Sequence, residues 1–223
     1  MKEGEEEEKC ITDYPKPIVY DKAKVIIKQM DRCICHVKCN NNKGTAFFTK
    51  IPFPSKHNLM PVLVSNNHII GEEFLNKPGE RLTIYIKEEN RSRLLDLNNR
   101  IKYTNKDYDI TFVEIKPDID RIIHFLELDD NILNDGSNKG YINETIYNIH
   151  YPLDNLSLSL GIIQDIEMKL KGNEVMQYNF KHLCSTLVGS SGSPILLSKN
   201  NKVVGVHKLT NKNVNYNIGV FLS

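Results

Sequence analysis

The 223-residue chain lacks an excess of charge of either sign, Lys+Arg 29 against Asp+Glu 28 leaving a formal charge of +1. No field builds up that would concentrate nucleic acid or an anionic membrane, so neither is an expected partner. Long hydrophobic runs are absent too. Nothing approaches the roughly 18–20 apolar residues that span a bilayer, and no apolar segment follows a basic start as a secretory signal requires. Five cysteines is an odd number, which argues against a disulfide framework and for a reducing context. The expectation is a soluble protein in a cytoplasmic or otherwise intracellular compartment. No fixed-period repeat is present, which excludes a propeller or solenoid, and helix signals are few.

With 40% hydrophobic and 26% charged residues, the chain can bury one large core or two smaller halves. Residues 1–28 open on a Glu-rich run with almost nothing apolar and read as an acidic, partly disordered extension. Beyond it come short β-branched or aromatic stretches separated by Asn, Gly, Pro and Lys clusters. Arg32 to Cys39 and Thr45 to Ile51 read as a hairpin whose positive φ is supplied by Gly44. Further strands are expected at 61–65, 81–87, 101–103, 110–115, 145–149, 156–164, 166–169, 175–180, 195–197 and 203–207. The chain ends on another, near 217–222, with no closing segment, as a chain cut short would. Lys116-Pro117-Asp118 breaks the pattern, dividing a first half (29–118) from a second (119–223). The expected class is all-β, a barrel or sandwich.

Chemistry concentrates at Gly189-Ser190-Ser191-Gly192-Ser193-Pro194. A serine hydroxyl attacks a carbonyl only with a base beside it and N–H donors aimed at the developing oxyanion. Glycines flanking Ser191 permit such a turn, and the spacing lets the N–H groups of Gly189 and Ser191 converge on one point. A base and its orienter belong at strand ends, where packing holds them still. His68 ends the apolar stretch Leu63-Val64-Ser65-Asn66-Asn67, and Asp109 opens Ile110-Thr111-Phe112-Val113.

With these residues in the order His, Asp, Ser, the sequence resembles the chymotrypsin-like serine peptidases, in their compact branch alongside the glutamyl endopeptidases. The resemblance runs from about Cys33 to Leu222, through Gly44-Thr45-Ala46-Phe47-Phe48, Asn67-His68-Ile69-Ile70, the segments around Asp109 and Ser191, and Val203-Val204-Gly205-Val206-His207. It implies two packed six-stranded antiparallel β-barrels with the active site in the cleft between them. Ser191 is then the nucleophile, His68 the general base and Asp109 its orienter, with Gly189 and Ser191 as the oxyanion hole. It also implies a monomer acting on a protein or peptide substrate, with no cofactor or metal. Thr186 and His207 match positions that in glutamyl endopeptidases bind the substrate's acidic side chain, and a hydroxyl and an imidazole can both donate to a carboxylate.

Two departures stand out. Lys208-Leu209-Thr210 replaces the small residues the family has after that His, so Lys208 either adds charge near an acidic substrate or points to solvent. Ser190 takes the place of the Asp that pairs with a new N-terminus in trypsin-type zymogens, although Lys24-Val25-Ile26-Ile27 has the look of a processing junction. Cys33, Cys35 and Cys39 with His36 have zinc-ligand chemistry, but alternation along a strand puts the three thiols on one face and His36 on the other, which favours core packing. Cys184 reads as a packing residue. His57, His124, His150 and His182 sit in no motif.

Overall fold

The computed structural model describes residues 14–133, 138–171, 174–210 and 215–222. Two antiparallel β systems follow one another. The first half contains β1 (Ile34–Cys39), β2 (Asn42–Pro52), β3 (Leu59–Ser65), β4 (Arg81–Ile86), β5 (Arg91–Asp96), β6 (Lys102–Asn105) and β7 (Ile110–Glu114), ordered β5-β4-β1-β2-β3-β7-β6. The second contains β8 (Thr145–His150), β9 (Ser157–Lys171), β10 (Glu174–His182), β11 (Pro194–Leu197), β12 (Val203–Thr210) and β13 (Asn217–Phe221), which close into a barrel ordered β10-β13-β12-β11-β8-β9. Three helices punctuate them: α1 (Tyr20–Arg32), α2 (Glu72–Asn76) and α3 (Pro117–Asp120).

The six-stranded second barrel matches the sequence expectation, whereas the first half is a seven-stranded sheet. Its extra strand, β5, was not expected, because Arg91-Ser92-Arg93 breaks any apolar alternation. The two stretches expected at 156–164 and 166–169 form the single strand β9, which pairs with β10 through a bulge. Helix α1 begins at Tyr20, within the residues 1–28 read as an acidic extension. Ile26 is buried in the core shared by both halves. Gln29 Nε2 donates to the Asn201 carbonyl at 2.9 Å, and Arg32 pairs with Glu88 at 2.8 Å, so the helix grips both halves. The junction-like Lys24-Val25 lies inside it. Residues 1–13, including Cys10, lie outside the described residues.

The β1–β2 turn also differs from expectation. Asn40 takes the left-handed backbone (φ 51), and Gly44 sits within β2 opposite Val37. Asn tolerates that conformation, so the turn closes at Asn40-Asn41. Gly44 is needed for close approach instead, since a Cβ there would lie 3.0 Å from the Ser191 carbonyl.

Strands of the first half bury both faces. Ala46, Phe48, Leu63 and Val113 fill its interior, while Ile34, Phe47, Val62 and Val64 point outward into a second cluster with Tyr147, Ile149, Leu196 and Val206 of the barrel. This seam explains why the sequence shows short continuous apolar runs rather than alternation. It also corrects the cysteine pattern. Cys33 follows α1 and packs in the seam, while Cys35 and Cys39 face the interior. All three are buried free thiols, and burial pushes Cys33 up to about 12.

Because Ile26 belongs to the seam, Ile26→Ala should destabilise the fold by about 2–5 kcal/mol. Urea unfolding of the full chain measures this; an unchanged midpoint would mean that the helix is a detachable extension.

Candidate active site

His68 and Asp109 come together within the first half. The chain turns sharply after β3, the N–H groups of Ile69 and Ile70 both donating to the Asn66 carbonyl at 3.2 and 3.0 Å. Ile69 and Ile70 anchor the turn in the interior. Asp109, at the mouth of β7, adopts a left-handed backbone (φ 55), which short polar side chains tolerate. Its carboxylate uses both oxygens on one residue: Oδ1 accepts the His68 backbone N–H at 3.0 Å, and Oδ2 meets His68 Nδ1 at 2.8 Å. Asn66 Nδ2 donates to the Asp109 carbonyl at 2.8 Å, fixing the acid from behind. With Asp109 accepting from Nδ1–H, Nε2 is left without a proton and able to accept one. The imidazole is 45% exposed against 10% for the carboxylate, so the ring is reachable from outside while the acid behind it is not.

Ser191 comes from the second half, in the loop before β11. Each neighbouring carbonyl is tied back by a protein donor: Val188 by Leu153 N–H at 2.8 Å, Gly189 by Thr45 Oγ1 at 2.8 Å, Ser190 by Ser193 N–H at 3.2 Å, and Ser191 by Thr45 N–H at 2.9 Å. With the carbonyls turned away, the N–H groups of Gly189 and Ser191 donate to no acceptor among the described residues. Gly189 has φ 99, and a Cβ there would lie 2.4 Å from the Tyr151 carbonyl. Side chains other than hydrogen are excluded.

The two pieces meet at Gly192, where a Cβ would lie 2.2 Å from the Thr45 carbonyl and 3.2 Å from the Asn66 nitrogen, two residues before His68. Among the described residues no hydrogen bond joins Ser191 Oγ to His68 Nε2; such bonds are often long in free enzymes and tighten when substrate arrives. An oriented imidazole, a half-buried hydroxyl and two unoccupied N–H donors at one seam have the chemistry of acyl transfer.

Ser190 holds the loop from beneath. Its hydroxyl is fully buried, accepts Leu187 N–H at 3.1 Å and lies 2.7 Å from His150 Nδ1. Ser159 Oγ donates to the Ser185 carbonyl and therefore accepts from His150 Nε2 at 3.0 Å, which makes His150 Nδ1 the acceptor of the Ser190 proton. Among the described residues no carboxylate hydrogen-bonds His150, so the pair props the loop in the place where the zymogen-type Asp was missing.

Thr186 is half-buried on the segment leading into the loop. His207 is buried on β12, its carbonyl accepting Gly192 N–H at 3.0 Å and its Nδ1 lying 3.2 Å from His182 Nε2. Burial lowers His150 to about 4 and His182 to about 3, and holds His207 well below its ordinary value. Lys208 Nζ donates to the Asp107 carbonyl at 3.2 Å through an exposed bond that bridges the two halves. Sequence reasoning passed over Asn66, Thr45 and the His150–Ser190 pair. Thr45 lay in a recognised motif, but nothing local told that its hydroxyl crosses the seam.

A closed antiparallel barrel docked on a second antiparallel sheet, with an oriented histidine on one side and a glycine-flanked serine loop on the other, is the chymotrypsin-like fold. No sequence-family profile matches the chain, and no curated protein matches it in sequence. Solved structures do match. Rv3671c from M. tuberculosis H37Rv, in its inactive form, superposes with a TM-score of 0.64 at 10% identity, over 95% of this chain and 92% of that one. Deg5 gives 0.63 at 13% identity over 91% and 89%, and the serine endoprotease from Yersinia pestis gives 0.61 at 13% identity over 92% and 63%.

The buried histidines make stability depend on pH. Their folded pKa values lie below the ordinary 6.5, so the unfolded chain takes up protons first as pH falls. Stability is complete above about pH 6.5 and declines toward pH 4, His150 alone accounting for a loss on the order of 3 kcal/mol. Thermal melts at pH 7 and pH 4.5 should show the fall, and His150→Gln should make it smaller without removing it, since His182 and His207 remain. A melting temperature independent of pH would contradict neutral burial.

Proposed function

We propose that this protein is a serine endopeptidase that hydrolyses peptide bonds through an acyl-enzyme. Ser191 Oγ attacks the scissile carbonyl, His68 Nε2 takes its proton and returns it to the leaving amine, and Asp109 fixes the tautomer and stabilises the imidazolium. The N–H groups of Gly189 and Ser191 receive the oxyanion. The observation that carries this reading is a histidine held by both oxygens of Asp109, one on its backbone N–H and one on its Nδ1, together with a serine loop at the same seam whose two N–H donors are unoccupied among the described residues. It is supported by solved structures of the same fold named as proteases, among them the HtrA-type protease AlgW with tripeptide (12% identity, TM-score 0.62, over 90% of this chain and 60% of that one).

The preferred residue before the scissile bond is acidic, Glu above Asp, met by Thr186 and His207. His207 emerges one hydrogen bond from Gly192 and is neutral through burial. If His182 donates from Nε2 to His207 Nδ1, the other His207 nitrogen keeps its proton for a substrate carboxylate. The incoming negative charge would offset the desolvation that lowers His207.

A fluorophosphonate probe should label the intact protein and lose its target in Ser191→Ala but not in Ser190→Ala, while Asp109→Asn should slow acylation by roughly 10⁴-fold. An unlabelled wild-type protein would end the enzyme reading, leaving a peptidase-like binding module, and near-normal turnover in Asp109→Asn would mean that another acid orients the imidazole. For specificity, His207→Ala should lower kcat/KM on a Glu-containing peptide roughly ten- to a hundredfold more than on its Gln counterpart. Equal losses on the two peptides would remove His207 from the pocket.

A further inference from the structure

The proposed oxyanion hole belongs to the second half, yet what holds it comes from the first. Thr45 on β2 is fully buried and makes four hydrogen bonds at the seam. Its N–H donates to the Ser191 carbonyl at 2.9 Å, and its carbonyl accepts from Ser65 Oγ at 2.9 Å. Its hydroxyl donates to the Gly189 carbonyl at 2.8 Å and accepts Tyr151 N–H at 3.0 Å. One hydroxyl hydrogen and one lone pair are thus spent on two segments of the other half.

These two segments shape the hole. The Gly189 carbonyl belongs to the peptide unit lying between the two N–H donors, and its direction sets the twist between them. Tyr151 opens the short turn whose Leu153 N–H holds the Val188 carbonyl at 2.8 Å, and that carbonyl shares its peptide plane with the Gly189 N–H. Gly189 rests on the Tyr151 carbonyl, where even a Cβ would lie 2.4 Å away. The left-handed backbone of Gly189 is therefore held directly by the Thr45 hydroxyl on one side and, on the other, by the Leu153 N–H of a turn whose first residue that hydroxyl anchors.

We infer that Thr45 is a positioning residue of the oxyanion hole, its hydroxyl locking the Gly189 peptide so that both N–H groups face the reacting carbonyl. The inference rests on the serine-peptidase reading and deepens it. Thr45 Oγ1 spends its hydrogen on a loop carbonyl and is buried, so it touches no substrate and acts through Gly189. The hole consequently exists only while the two halves are docked, and separating them dismantles it even if each keeps its own strands.

The test compares wild type, Thr45→Val and Thr45→Ser in the full chain, using a Glu p-nitroanilide peptide as substrate, the corresponding peptide aldehyde as an inhibitor that forms an oxyanion, and fluorophosphonate titration to count competent sites. Valine keeps the shape and the backbone bonds but leaves the Gly189 carbonyl and the Tyr151 N–H without a partner. Per titrated site, Thr45→Val should lose roughly tenfold to a hundredfold in kcat with KM changed less than about twofold, and aldehyde affinity should fall by the same factor as kcat. Thr45→Ser, which keeps the hydroxyl, should recover most of both. Unchanged kcat and aldehyde affinity per site in Thr45→Val would overturn the inference, as would a loss that appears equally in KM and is not recovered by serine, the mark of general loosening. A wild-type protein that neither labels nor turns over would instead overturn the peptidase reading itself, and the inference with it; counting only titrated sites keeps misfolded variant from imitating either result.

Discussion

The apolar seam between the two β systems is the constraint on which the site depends. Phe47, Val62 and Val64 on one side and Tyr147, Ile149 and Val206 on the other are buried only because the halves face each other. Fully burying side chains of this size is worth roughly 1.5–3 kcal/mol each relative to exposure, so docking is part of folding. Once the seam closes, β2 lies against the loop before β11, and the Asn66–Ile69 turn and the loop carrying Ser191 come to the same seam.

Several polar groups follow the apolar surfaces into the seam and hydrogen-bond there. Thr45, Asn66 and Ser65 are fully buried, and each spends its side-chain donor on a backbone carbonyl. Charge is kept at the rim. Lys43 meets Asp154 at 2.9 Å, and Lys208 reaches the Asp107 carbonyl, both across the junction. Exposed pairs of this kind contribute little to stability; their effect is to fix how the halves sit. The buried histidines of the barrel stay neutral for the same reason that the cysteines stay protonated, since burial disfavours the charged form.

The residues of the candidate site stood out in the sequence because they occupy places where local chemistry is restrictive. His68 follows a strand end, Asp109 precedes a strand start in a positive-φ turn that short polar residues favour, and Ser191 sits between glycines that permit positive φ. The second barrel was legible too, since its strands are separated by turn residues, although β9 runs on through what read as two stretches. Helix α1 was not, because Val25-Ile26-Ile27 has β-branched content and the charged residues around it look solvated; tertiary contacts to Asn201 and Glu88 decide its conformation. Strand β5 was missed for the opposite reason: it pairs with β4 through its backbone while its side chains are mostly exposed.

Residue types, their order and the backbone freedoms they allow were determined by the sequence alone: an all-β chain in two parts, a histidine and an aspartate in the first, and a glycine-framed serine in the second. Tertiary structure decided which surfaces meet. The sheet order that left the first half seven-stranded, the turn carried by Asn40, the outward path of Cys33 and the crossing of the Thr45 hydroxyl into the other half arise from contacts between residues far apart in the chain. Local pattern records which conformations a segment tolerates, but long-range packing selects among them, because burying an apolar face or satisfying a buried donor outweighs the small differences in intrinsic preference.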